Sequence, residues 1–135
     1  MRGDEHQCYE RPARILFVGG GRDVTRHCGV LRAEGHIVEL VEDGAAVIER
    51  LEREPPIDVI AIGGLADLAR THALAAARER NVWCLYLESR SATTPLRADE
   101  RAEFVAALPA GADDAQIGRT LRAMIAARRS RDVDA

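Results

Sequence analysis

Three consecutive glycines, Gly19, Gly20 and Gly21, close an apolar run that begins after Arg14, and Arg22 and Asp23 follow at once. Glycine permits a sharp turn with positive φ, and the amides of the helical turn that follows then face whatever lies above the strand end. Gly63 and Gly64 end a second apolar run in the same way. Anion binding is the chemistry these residues suit, with Arg22 placed to meet a phosphate. Other reactive side chains are scattered. His27-Cys28, Glu88, Ser89 and Ser91 show no nucleophile, base and orienting group together, so the sequence is not read as an enzyme. His6 and Cys8 make only a two-ligand pair in a polar tail, and Cys8, Cys28 and Cys84 form no CxxC motif. Neither a metal site nor a disulfide framework is expected, and no cofactor.

All 19 lysine-plus-arginine residues are arginine. The absence of lysine excludes Schiff-base chemistry and a P-loop lysine. With 135 residues, 47% hydrophobic and 30% charged, and a formal net charge of -3, the chain suits one soluble domain without bulk attraction to nucleic acid or anionic membrane. The first six residues lack the apolar core of a signal peptide, so the cytoplasm is the expected location.

These glycines must be positioned by strands and helices in alternation. Residues 15–18 lack polar alternation, as expected of a strand covered on both faces. A helix over 25–33 carries Val24, Cys28 and Leu31 on one stripe and ends at Gly35, with Asp23 as its expected cap and His27 on or near its surface. A second strand spans 36–41. After the turn Glu42-Asp43-Gly44 comes a helix burying Ala46, Val47, Ile48 and Leu51, with Glu49, Arg50, Glu52, Arg53 and Glu54 as its solvated side. Pro55-Pro56 stops it, Asp58 marks the start of a third strand over 57–62, and a helix over 65–80 follows, burying Leu65, Leu68 and Leu74 and capped by Asn81. The remaining expectations are a strand over 82–87, a short helix from Thr94-Pro95 through Arg101, a strand over 104–108, and a last helix capped by Asp113. Ile117, Leu121, Met124 and Ile125 face its core. Residues 1–12 read as a flexible tail, 13–129 as the domain and 130–135 as a charged tail. Five strands alternating with five helices predict a doubly wound α/β fold, a flavodoxin-like parallel sheet in the order 2-1-3-4-5 with helices on both faces. That order sets Gly19 beside Gly63 where the chain reverses direction across the sheet.

From residue 14 to residue 128 the sequence resembles the receiver domain of two-component response regulators, the CheY-like family, most closely over residues 33–60. The resemblance implies a site at the carboxyl edge of the sheet. Two acidic residues that hold magnesium in the family match Gly19 and Gly20, and the aspartate that takes the phosphoryl group matches Gly63. A threonine or serine matches Glu88, or Ser89 with the register moved by one, and a lysine matches Leu108, followed as in the family by a proline, Pro109. Phosphoryl transfer to aspartate needs a carboxylate and a divalent ion, which glycine does not replace. The expectation is a stand-alone pseudo-receiver, a degenerate member acting in signal transduction through phosphorylation-independent protein contacts. Its partner would be a signalling protein or a second copy of the chain, and Arg97, Arg101, Arg119 and Arg122, with Glu103 nearby, would supply the docking face.

A second reading starts from Gly19 to Val24. With Glu42 and Asp43 about twenty residues on, this stretch resembles a dinucleotide-binding fingerprint, although Val24 replaces its third glycine. It implies a nucleotide sensor that uses Gly19, Gly20, Gly21, Arg22, Gly63 and Gly64.

Overall fold

Apolar runs and helical stripes alternate along the chain and fold as one five-stranded parallel sheet in the order β2-β1-β3-β4-β5. The structure, a computed structural model, describes residues 12–19, 22–63, 67–88, 98–109 and 112–134. The strands are β1 (Arg14–Val18), β2 (Ile37–Val41), β3 (Val59–Gly63), β4 (Trp83–Leu87) and β5 (Ala106–Leu108); the helices are α1 (Arg22–Ala33), α2 (Gly44–Leu51), α3 (Asp67–Glu79), α4 (Ala98–Arg101) and α5 (Asp114–Asp134). The expected fold class and strand order are thus found. Among the described residues, no helix is long and apolar enough to cross a membrane.

The central strands explain the order. Every residue of β3 is buried, as are four of five in β1 and in β4, whereas β2 at the edge leaves Ile37 and Leu40 exposed. Alternate side chains of β1 feed two core layers. Ile15 and Phe17 meet Val24, Cys28 and Leu31 of α1 and Ile117, Leu121, Met124 and Ile125 of α5. Leu16 and Val18 meet Val47 of α2 and Ala73, Leu74, Ala76 and Ala77 of α3 on the opposite face. Helices on both faces protect a sheet whose middle has no polar side.

Helix ends at Gly35, Asn81 and Asp113 follow the residues foreseen for them, and Asp43, read as a turn residue, adds a cap. At Gly35, φ +99, the Gly35 amide donates to the Arg32 carbonyl at 3.0 Å and the His36 amide to the Leu31 carbonyl at 3.2 Å. Asn81, φ 57, repeats that pattern after α3, with the Val82 amide donating to the Ala77 carbonyl at 2.9 Å. Both are Schellman closures, in which a left-handed residue satisfies the last carbonyls. Asp43 and Asp113 accept from the amides of Ala46 (2.7 Å) and Gln116 (2.8 Å), the usual N-cap bond. Asp58 fixes the start of β3 by accepting from the Arg14 amide at 2.8 Å.

Several expectations need correction. Because α1 begins at Arg22, Asp23 sits inside its first turn and is not the cap. Phe104 closes the turn after α4, its amide donating to the Arg101 carbonyl at 3.2 Å, so β5 is shorter than 104–108. The last helix runs to Asp134, and residues 130–134 are helix rather than tail. Arg128 and Arg131 lie over the Trp83 ring at 5.8 and 5.7 Å, cation–π contacts that favour this extension. On α2, Arg50 is buried where a solvated residue was expected, and Ile48 is exposed where a core residue was expected. Leu65, His6, Cys8, Ser89, Ser91, Thr94 and Pro95 lie outside the described residues, as does residues 1–11 of the expected tail; the side chain of Leu68 does too.

One consequence concerns Gly29 on α1, where an added Cβ would meet nothing within 4 Å. Glycine inside a helix costs about 1 kcal/mol relative to alanine. Gly29→Ala is expected to raise stability by about that amount in a urea titration; a loss would show that the surroundings of Gly29 are closer than described.

Candidate functional site at the carboxyl edge of the sheet

Strand register assembles four of the residues singled out in the sequence. Val18 pairs with Ile62, Gly63 with Leu87, and Leu87 with Leu108, so Gly19, Gly63, Glu88 and Leu108 all fall at the carboxyl edge. Gly19 has φ +146, and its amide donates to the Val41 carbonyl at 3.0 Å. A Cβ built on Gly19 would lie 1.6 Å from the Gly63 carbonyl oxygen and 2.8 Å from its carbon. The Gly63 backbone therefore occupies the space that a side chain at position 19 would need. At Gly63 a Cβ would meet the Leu87 Cβ and carbonyl oxygen at 3.3 Å, a tight fit that small shifts relieve.

The rest of the edge is half apolar. Leu108 is buried in the core layer beneath α1 and α5, and its carbonyl accepts from the Glu88 amide at 3.0 Å. Glu88 is exposed. Gly20, Gly21, Gly64 and Arg97 lie outside the described residues, as does the side chain of Arg22. Among the described residues, no group of three or more His, Cys, Asp or Glu side chains is placed to hold a metal ion.

The arginines of the expected docking face differ in their partners. Arg101 on α4 and Arg119 and Arg122 on α5 are exposed. Arg122 donates to Glu34 beyond the end of α1 at 2.8 Å. Glu103 accepts from Arg78 of α3 at 2.6 Å.

Three polar contacts were not foreseen. His27 is 8% exposed, its Nδ1 lies 2.7 Å from Asp114 Oδ1, and its ring stacks on Phe17 at 6.5 Å. The signal was present, because residues 24, 27, 28 and 31 complete one helical stripe. Arg50 is 3% exposed and reaches Glu39 of β2 through two bonds, 2.6 and 2.9 Å, and the carbonyls of Arg53 and Pro55 at 3.2 and 2.8 Å. Its spacing of three from Val47 hinted at the inward face. Arg70 of α3 and Glu100 of α4 form a third, fully buried pair.

His36 sits where α1 turns into β2, and its buried Nδ1 has no hydrogen-bond partner among the described residues. Burial pushes its pKa below the ordinary imidazole value; Glu34 opposes this, while Arg122 and Arg129 add to it. The unfolded chain thus takes up a proton near pH ~6.5, at which the folded protein still resists it. This contribution to stability is complete above that pH and is lost as pH falls through the imidazole range. Urea titrations of the parent and His36→Gln across that range are expected to show a smaller acid loss in the variant. Equal losses would contradict the assignment.

No family model matches the chain, and no curated protein does. Solved structures do. The signal receiver domain of a Vibrio parahaemolyticus protein superposes with a TM-score of 0.75 at 14% identity, covering 90% of this chain and 96% of that one. A response regulator receiver protein from Sinorhizobium medicae gives 0.69 at 20% identity, covering 88% and 98%. The receiver domain of a sensor histidine kinase from Pseudomonas aeruginosa, with a magnesium ion coordinated in its active-site cleft, gives 0.68 at 25% identity, covering 84% and 98%. The chain has the CheY-like fold of response regulator receiver domains.

Proposed function

We propose that this chain is a signalling module of the receiver fold that acts by protein contact and does not use aspartyl phosphorylation as its switch. The observation that carries this reading is the approach of Gly19 to the Gly63 carbonyl. Transfer of a phosphoryl group to aspartate requires a carboxylate nucleophile and hard oxygen ligands around magnesium. At the positions that match the family's acidic residues, Gly19 and Gly63 offer no side-chain oxygen, and the first leaves no room for one. Leu108 stands in the core where the family has a lysine, and the sequence contains no lysine to replace it.

The module is read as non-enzymatic. Burial pushes the Cys28 thiol above its ordinary pKa and the Cys84 thiol up to about 12, so neither is activated as a thiolate nucleophile. His27, next to Cys28 in sequence, is engaged by Asp114. Arg101, Arg119 and Arg122, all exposed and the last paired with Glu34, are the described arginines of the proposed docking face, suited to an acidic surface on a signalling partner or on a second copy of the chain. A nucleotide sensor is the weaker reading, because the Gly19 amide already donates to Val41 and is not free to meet a phosphate.

A thermal melt against nucleotides, dinucleotides and cyclic dinucleotides separates these readings. A ligand at about a hundred times its Kd would add about 2.7 kcal/mol and raise Tm by several degrees. No shift across the panel is expected; a shift with one nucleotide would favour the sensor.

A further inference from the structure

The strand β2 pairs with β1 on one side and lies at the edge of the sheet on the other. The Ile37 amide donates to the Ala13 carbonyl and the Gly19 amide to the Val41 carbonyl, so residues 37 and 41 turn their backbone groups toward β1. Alternation along a parallel ladder puts residue 39 with them and turns the amides and carbonyls of Val38 and Leu40 outward. These two outer residues differ. The Val38 carbonyl accepts from Arg32 Nη2 at 2.8 Å and from Arg32 Nε at 3.2 Å, whereas among the described residues nothing bonds the backbone of Leu40. Arg32 is an exposed residue in the last turn of α1, six positions before the carbonyl it meets.

An open sheet edge is a template for another strand, and proteins close such edges with charge, proline, bulges or a covering segment. Within β2 itself there is little of this. The strand has no proline, its Ile37 and Leu40 side chains are exposed, and its single charge, Glu39, is engaged by Arg50 and Arg14. The edge is also self-complementary. About a two-fold axis at Glu39, Val38 of one copy meets Leu40 of the other in antiparallel pairing, and each residue offers one amide and one carbonyl. That pairing needs the Val38 carbonyl as an acceptor, and the Arg32 guanidinium already fills it from two nitrogens. We propose that Arg32 closes the β2 edge to a second copy of this chain. It does so in two ways: it takes the acceptor, and it places a cation on a seam where the two-fold axis would bring a second one.

Sedimentation of the full chain over a range of concentrations, with hydrogen exchange read at both ends of that range, tests the proposal. Arg32→Ala places the best helix former at an exposed helical position, so the fold is expected to persist. The variant should self-associate at least about tenfold more tightly than the parent, because each copy regains an acceptor for one further hydrogen bond. The Leu40 amide should exchange freely in the parent and become protected in the variant as concentration rises, while the amides of β1 and β3 exchange as before. Arg32→Met, which keeps an unbranched stem and has no donor, should behave as Arg32→Ala does. An unchanged mass in both variants, or association without protection at Leu40, would overturn the proposal. Protection of Leu40 in the parent would overturn it too, and so would an Arg32→Met protein that behaves as the parent, since the block would then lie in the stem and not in the bond.

Discussion

Gly19→Ala is expected to lower stability by about 3 kcal/mol or more, and Tm by about 10 °C or more. Two separate effects act at this position. The φ of +146 lies in a region that residues with a Cβ rarely adopt, and the Cβ itself would fall 1.6 Å from a backbone oxygen. Relief by movement is limited on both sides. The Gly19 amide is bonded to Val41 in the neighbouring strand, and Gly63 is paired with Leu87 in β4. Gly29→Ala, an identical chemical change in open space, serves as the control and is expected to change stability in the opposite direction. Urea titrations of the two variants measure the contrast. A Gly19→Ala protein as stable as the parent would mean that the two strand ends are not in contact, and the strongest support for the proposed function would go with them.

The second large effect is expected from Arg50→Met, at about 3 kcal/mol. This guanidinium joins the edge strand β2, through Glu39, to the end of α2 and to the Pro55 loop, and Glu39 also meets Arg14 of β1 at 3.4 Å. Methionine fills similar volume but leaves the Glu39 carboxylate and two carbonyls short of their donor. Adding Glu39→Leu removes the stranded charge and should recover part of the loss, so the double-mutant cycle reports coupling between the two residues. The hydrogen bond from Arg50 is the largest influence holding Glu39 below its ordinary carboxylate pKa, against the opposing effect of burial. That part of the stability is complete above the unfolded carboxylate range and is lost as pH falls through the lower folded value. Denaturation at neutral and acid pH should therefore show a smaller gap between parent and Arg50→Met in acid. A constant gap would place the role of Arg50 in packing rather than in the pair.

The backbone plan was legible in the sequence because each element carries its own pattern. Runs such as Ile15 to Val18 and Val59 to Ile62 have no polar face, and the glycine, asparagine and aspartate signals at Gly35, Asn81, Asp43 and Asp113 act within one turn of themselves. The exchange of Arg50 for Ile48 was hinted at only by the spacing of Arg50 from Val47, against the residue types. Which flank of α2 faces inward depends on Glu39, eleven residues back on an edge strand that has room for a charged partner. His27 and Asp114 meet across 87 residues, and Glu100 finds Arg70 across 30; the stripe through residues 24, 27, 28 and 31 marks His27 as inward-facing, but which partner it meets follows from tertiary placement. At the carboxyl edge, the residue types and their alignment with one another could be read in advance. The backbone contact at Gly19 could not, since it depends on how closely two strand ends pack after their last paired residues.

The central claim is that this edge does not accept a phosphoryl group. Incubating the protein with magnesium and acetyl phosphate, then recording its intact mass and its Tm together, tests that claim most directly. The expected result is an unmodified mass and an unchanged melt. An acid-stable, base-labile phosphoryl adduct on a carboxylate, accompanied by a rise in Tm, would contradict it.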